Sequence, residues 1–263
     1  MDTISNRQLT LLRKLQKKKY REREQLFLVE GERAVEQVIQ NGTVQVTHLF
    51  WDENQQLWKR PGWSERAGQL LSAKVDPHSF REITDTDNPQ GILALCEMPP
   101  EVALDELSDK QGVVVATDRI QDPGNLGTIL RSAAWFGVQG LLLGKGTADL
   151  FNPKVVRSTA GATGTIPFVN VNLEQTLSFF EEKGWQVLLL DTSEHAESLR
   201  TVEAAPQTIV VIGNEANGVD PSLMAGRNRR VVEIPHPQKE KQVESLNASI
   251  ALSIALYALS DQT

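Results

Sequence analysis

The second half of the chain alternates short apolar runs with amphipathic segments, and this alternation constrains its fold more than any other feature. Val113–Ala116, Leu141–Leu143, Val187–Leu190, Ile209–Ile212 and Val231–Ile234 are apolar apart from Glu233. Between and after them lie helical segments: Asn125–Phe136, closed by Gly137; a short helix towards Ala160 opened by Asn152-Pro153; Leu173–Lys183, capped by Asn172 and ended by Gly184; and Ser245–Ser260. A strand with no polar face must be covered on both sides, and strands separated by helices pair in parallel. The expected class is α/β, a mostly parallel sheet flanked by helices. Strand order is not readable from this pattern.

The first half reads as a smaller α/β module. A helix is expected over Asn6–Lys19 and a strand over Leu26–Val29. Gly31–Gln40 carries Ala34, Val35, Val38 and Ile39 at helical spacing before the Asn41-Gly42 stop, and Val46–Trp51 and Gly91–Leu95 read as strands. Pro99-Pro100 followed by charged residues marks an exposed connection, so two domains are expected, 1–105 and 106–263.

Charge is unevenly spread. The 263 residues carry 27 Lys and Arg against 34 Asp and Glu, a net −7 that would argue against a nucleic-acid partner. Residues 1–24, however, hold eight basic and three acidic side chains, so a +5 arm precedes a −12 remainder. A run of this kind is either a solvated helix face or a phosphate-binding surface. Smaller basic groups follow at Arg227, Arg229 and Arg230 and at Lys239 and Lys241. The single cysteine, Cys96, excludes an intramolecular disulfide and any Cys-based zinc site, and the four histidines lack metal-ligand spacing, so no metal is expected. No signal-peptide core follows the basic N-terminus, and Leu246–Leu259 is too short and too polar to span a bilayer. A cytoplasmic protein without a membrane partner is expected.

Three segments that follow expected strands carry the candidate chemistry. In open α/β sheets ligands bind at these strand ends. Asp118–Gly127 leads into a helix bearing Arg131; Asn125 reads as its N-cap, and the Arg131 fork suits a phosphate, although an ordinary capped helix with a surface arginine has the same pattern. Gly213-Asn214-Glu215-Ala216-Asn217-Gly218 is a tight loop with Glu215 at a strand end, or simply a turn. Glu233-Ile234-Pro235-His236-Pro237 precedes Glu244-Ser245-Leu246-Asn247-Ala248-Ser249, where Ser245 reads as the cap of the last helix and Asn247 as a capping residue or a site group. A Walker loop, a G-x-G-x-x-G fingerprint and a G-x-S-x-G elbow are all missing.

Taken in order, Asn125-Leu126-Gly127 with Arg131-Ser132-Ala133, then Gly213–Gly218, then Ile234-Pro235 with Ser245–Ser249, resemble the SpoU-type RNA ribose 2′-O-methyltransferases of the SPOUT superfamily over roughly residues 112–260. Phe27–Arg33 resembles the start of the substrate-binding domain attached to rRNA-modifying members. The resemblance implies a trefoil-knotted C-terminal domain, S-adenosyl-L-methionine as cofactor and a homodimer. It also implies transfer of a methyl group to an RNA ribose 2′-OH. Carried over by motif, Gly213, Ile234 and Leu246 would touch the cofactor, with Thr192 as a further candidate, and Asn125, Arg131, Glu215, Ser245 and Asn247 would line the catalytic pocket. A guanidinium holds its proton in proteins, so Arg131 is expected to clamp phosphate and stabilise the developing alkoxide, oriented by Glu215 and Asn247. The added N-terminal module favours 23S rRNA over tRNA as substrate. The competing readings are a tRNA 2′-O-methyltransferase, a non-catalytic RNA-binding or assembly factor on the same fold, and a nucleotide-cofactor oxidoreductase, against which the missing glycine fingerprint counts.

Overall fold

The computed structural model describes residues 1–193, 195–226, 228–236, 243 and 245–260; Arg227, Pro237, Lys239, Lys241 and Glu244 lie outside the described residues. The chain begins with β1 (Asp2–Thr3), α1 (Asn6–Leu15), α2 (Lys18–Glu24), β2 (Leu26–Glu30) and α3 (Glu32–Asn41). It continues through β3 (Val46–Asp52), α4 (Trp63–Gln69), β4 (Leu71–Val75), α5 (Pro77–Ile83) and β5 (Ile92–Glu97). Next come α6 (Leu104–Ser108), β6 (Gly112–Thr117), α7 (Pro123–Trp135), β7 (Gly140–Gly144), α8 (Pro153–Ser158) and β8 (Phe168–Val171). The last elements are α9 (Leu173–Glu182), β9 (Gln186–Leu190), β10 (Glu197–Ser198), β11 (Gln207–Ile212), β12 (Arg229–Glu233) and α10 (Ala248–Ser260). None of the described helices is long and apolar enough to cross a membrane.

These elements form two compact units. The first comprises Met1–Pro100 together with Asp149–Thr165; the second comprises Glu101–Ala148 and the chain from Ile166 onward. Residues 149–165, which include α8, thus leave the sequence of the second unit to complete the first.

In the first unit a mixed sheet of order β1-β4-β3-β5-β2 is covered by helices. Leu12 and Leu15 of α1 and Phe80 and Ile83 of α5 pack with Leu28, Phe50, Ala73 and Leu93 of the strands. The Phe151 ring lies 4.9 Å from that of Phe27, and Val155 and Val156 of α8 are buried. The basic N-terminal run is therefore no loose arm. The single helix expected over 6–19 is two helices, because the chain turns at Gln16-Lys17 and ties Gln16 Nε2 to the Ile83 carbonyl (2.8 Å). The turn carries Arg21 into the interior, where it donates to the Leu15 carbonyl (2.7 Å) and pairs with Asp149.

The second unit contains the α/β sheet expected from the apolar runs. Its seven strands run β10-β12-β9-β11-β6-β7-β8, and every pairing is parallel. Side chains alternate between the faces of a strand. Val114 and Ala116 join a cluster with Leu177 and Phe180 of α9, and Val115 is buried on the other face beside Val210. A parallel ladder puts all strand C-termini on one edge, and the three candidate segments emerge there.

Candidate active site

Register places the cofactor candidates. Leu190 at the end of β9 pairs with Ile212 of β11 on one side and Val232 of β12 on the other. Thr192 and Ile234 each follow two residues beyond this row and Gly213 one residue beyond, so three adjacent strands deliver them to one edge. Gly213 and Ile234 lie just past the last paired residues of β11 and β12. The Thr192 amide donates to its neighbour Asp191 (2.6 Å). Ser245 and Leu246 lie exposed just before α10, with Leu246 at 46% accessibility.

The Gly213–Gly218 loop is built to hold a fixed shape. Asn214 and Gly218 exchange both backbone hydrogen bonds (2.9 Å each), and Asn214 Oδ1 accepts from the amides of Ala216 and Asn217 (3.0 and 3.2 Å). A Cβ on Gly213 would collide with the main chain of Gly218 and Val219, so Gly213 is required for loop closure. Gly218 (φ +67°) faces Asp191, whose carboxylate accepts from the Val219 amide (2.7 Å). A second brace comes from the segment that follows β6. Arg119, in the left-handed region (φ 55°), accepts from Asn214 Nδ2 at its carbonyl (2.9 Å) and reaches Asp118 (3.1 Å) and Asp220 (2.9 Å) with its guanidinium. Hydrogen bonds from the backbone and side chain of Ser222 hold the Asp220 carboxyl below the usual carboxylate range, and Arg119 adds to the effect.

This loop presents Glu215 to the start of α7. Glu215 Oε1 accepts from Asn125 Nδ2 (3.0 Å) and from the Asp122 amide (3.3 Å). Asn125 Oδ1 accepts in turn from Asn247 Nδ2 (2.9 Å). Glu215, Asn125 and Asn247, from three separate segments, thus form one hydrogen-bonded line.

Two capping expectations are corrected here. The N-cap of α7 is Asp122, whose Oδ1 accepts from the Asn125 amide (2.8 Å) with Pro123 at the first helical position, so the Asn125 side chain is released to the site. The last helix starts at Ala248 rather than Ser245, and Asn247 caps it by accepting from the amides of Ser249 and Ile250 (2.9 and 3.3 Å). Asn247 caps α10 with its oxygen and donates to Asn125 with its nitrogen. Since its oxygen is occupied, its Nδ2 is the end left for Asn125. The carboxylate fixes Asn125 in the same way, and each amide retains one N–H for a ligand.

Arg131 lies outside this line. It is exposed, six residues beyond Asn125 on α7, and its side chain makes no hydrogen bond or ion pair among the described residues. Glu215 and Asn247 therefore orient Asn125 and not, as expected from the sequence, Arg131. Sequence reasoning also missed Asp191, Arg119 and Asn214 as the braces of the loop. The Asp122-Pro123 pair was the legible signal for the true cap.

The chain matches the SpoU rRNA methylase family over residues 112–257 and the MRM3-like substrate-binding domain over residues 6–94. It belongs to the SpoU rRNA methylase family. It is 31% identical to the Bacillus subtilis 23S rRNA (guanosine(2553)-2′-O)-methyltransferase RlmP over 98% of each chain. It is also 31% identical to the Coxiella burnetii 23S rRNA (guanosine-2′-O-)-methyltransferase RlmB, over 88% of this chain and 94% of that one. Its fold superposes on the SpoU methyltransferase AviRb from Streptomyces viridochromogenes, solved in complex with AdoMet, with a TM-score of 0.83 and 26% identity over 98% of each chain. The family's chemistry is S-adenosylmethionine-dependent, and the residues here fit that cofactor. The strand-end main chain around Gly213 and Ile234 would offer the cofactor polar groups, and the exposed Leu246 would offer apolar cover.

Proposed function

We propose that this chain transfers a methyl group from S-adenosylmethionine to a ribose 2′-OH of 23S rRNA in the cytoplasm, acting as a homodimer. The hydrogen-bonded line Glu215–Asn125–Asn247 carries the reading. It fixes two amide N–H groups, one on α7 and one just before α10, beside the strand ends that would hold the cofactor. S-adenosylmethionine supplies an electrophilic methyl on a sulfonium. Asn125 and Asn247 would hold the ribose oxygens, and orientation of this kind accounts for a large part of such barriers. Arg131, unpaired and bearing a planar fork of donors, would bind the adjoining phosphate and stabilise the alkoxide as it forms.

The assay is methylation of 23S rRNA that lacks its 2′-O-methyl groups, with the position mapped on the product. Glu215→Ala should lower kcat by roughly ten- to a hundredfold, the worth of a hydrogen bond to a charged group. An unchanged kcat would remove the hydrogen-bonded line from the mechanism.

An exposed apolar stripe supports the dimer. Ile250, Ile254 and Tyr257 lie one turn apart on α10 at 49%, 38% and 60% accessibility, and Trp135 of α7 is 84% accessible. Patches of this kind mark interfaces. Ile254→Asp should convert a dimer into a monomer in sedimentation; a wild-type protein that already sediments as a monomer would overturn this reading.

A further inference from the structure

Three cations converge on one aromatic ring in the first unit. Lys19 Nζ lies 4.9 Å from the Tyr20 ring centroid, the Arg23 guanidinium 5.1 Å and Lys14 Nζ 5.7 Å, all within cation–π range. The helices enforce this gathering. Lys19 and Arg23 are one turn apart on α2, and the turn at Gln16-Lys17 folds Lys14 of α1 back onto the same ring. Lys17 and Lys18 extend the patch. Lys14, Lys17 and Lys19 have no carboxylate partner among the described residues, whereas Lys18 pairs with Glu22 and Arg23 with Glu24. Arg21, the one basic side chain of α2 that is buried, is spent on Asp149.

The geometry points to the Lys14–Lys19–Arg23 cluster on Tyr20 as a binding site for the ribose-phosphate backbone of the RNA substrate. Clustered like charges with few counter-charges repel one another, and a polyanion relieves that repulsion while releasing its own counterions. The ring serves as the post around which the cations gather. With cations on the ring, Tyr20 is not free to stack a base, so the contact reads backbone and not sequence. This inference rests on the proposed RNA substrate and adds where and how that RNA is held.

The test compares the full chain with the triple variant Lys14→Gln/Lys19→Gln/Arg23→Gln. KM for 23S rRNA and binding to an unrelated rRNA fragment are measured across a salt series. Each lost phosphate contact should flatten the slope of log affinity against log salt by about one, so the triple variant should lose about two to three. Near 0.1 M salt, KM for 23S rRNA and Kd for the unrelated fragment should each rise about tenfold, with KM for S-adenosylmethionine at its wild-type value. Tyr20→Leu should reproduce part of the loss and Tyr20→Phe none. A wild-type salt slope in the triple variant overturns the proposal, as does a lower Tm without an RNA effect, which would mean that the cations serve only to stabilise the fold. If the wild type fails to methylate 23S rRNA, the proposed function fails, and the salt slopes from binding still decide the patch separately.

Discussion

Replacing Arg131 with lysine is expected to lower kcat by about a hundredfold. Removing one donor from a charge-stabilising site typically costs about 10²–10³ in turnover. Lysine keeps the charge and loses the planar fork, so the experiment separates geometry from electrostatics. The structure makes the experiment clean, because Arg131 is exposed and holds no other described residue in place. Tm and S-adenosylmethionine affinity should therefore stay at wild-type values. A variant with near-normal turnover would show that Arg131 does not contact the transition state.

The largest stability effect is expected at Arg21. Its side chain is 3% accessible and that of its partner Asp149 16%. Truncating one member of a buried pair leaves the other charge uncompensated, at a cost of about 3–5 kcal/mol. Arg21→Leu also strands the Leu15 carbonyl, which now accepts at 2.7 Å. The expected fall in Tm is roughly 6–20 °C. The double variant Arg21→Leu/Asp149→Leu should recover most of the loss, since apolar replacement of both partners is often near neutral. A single variant as stable as the wild type would mean that water reaches the pair.

The same contrast shows what the sequence could reveal. The central strands of the second sheet were legible because β6, β9 and β11 are buried on both faces and so carry no polar residues in their middles. The edge strands β1 and β10 were not legible; each is two residues long and has no apolar pattern. The site residues were legible as types in motifs. Their partnership was not, because Asn125 meets Glu215 and Asn247 across 90 and 122 residues of chain. Competition between neighbouring caps hid a further layer: Asp122 outcompetes Asn125 for the α7 terminus, and Asn247 outcompetes Ser245 for that of α10. Charge counting saw the N-terminal run correctly and misread its form, since an arginine among lysines looks alike in sequence whether it faces solvent or Asp149.

The passage of residues 149–165 into the first unit has a consequence for the order of events during translation. That unit takes its Phe151, Val155 and Val156 contacts and the Arg21 partner from chain that emerges only after β6, α7 and β7 have been made. From Pro100 to Thr165 the ribosome adds 65 residues, which takes about 3–13 s at 5–20 residues per second. For that interval the nascent N-terminal half holds an uncapped arginine and an open apolar seam beside β2. It is then an unfinished mould awaiting its last piece, and its exposure to chaperones is set by elongation speed.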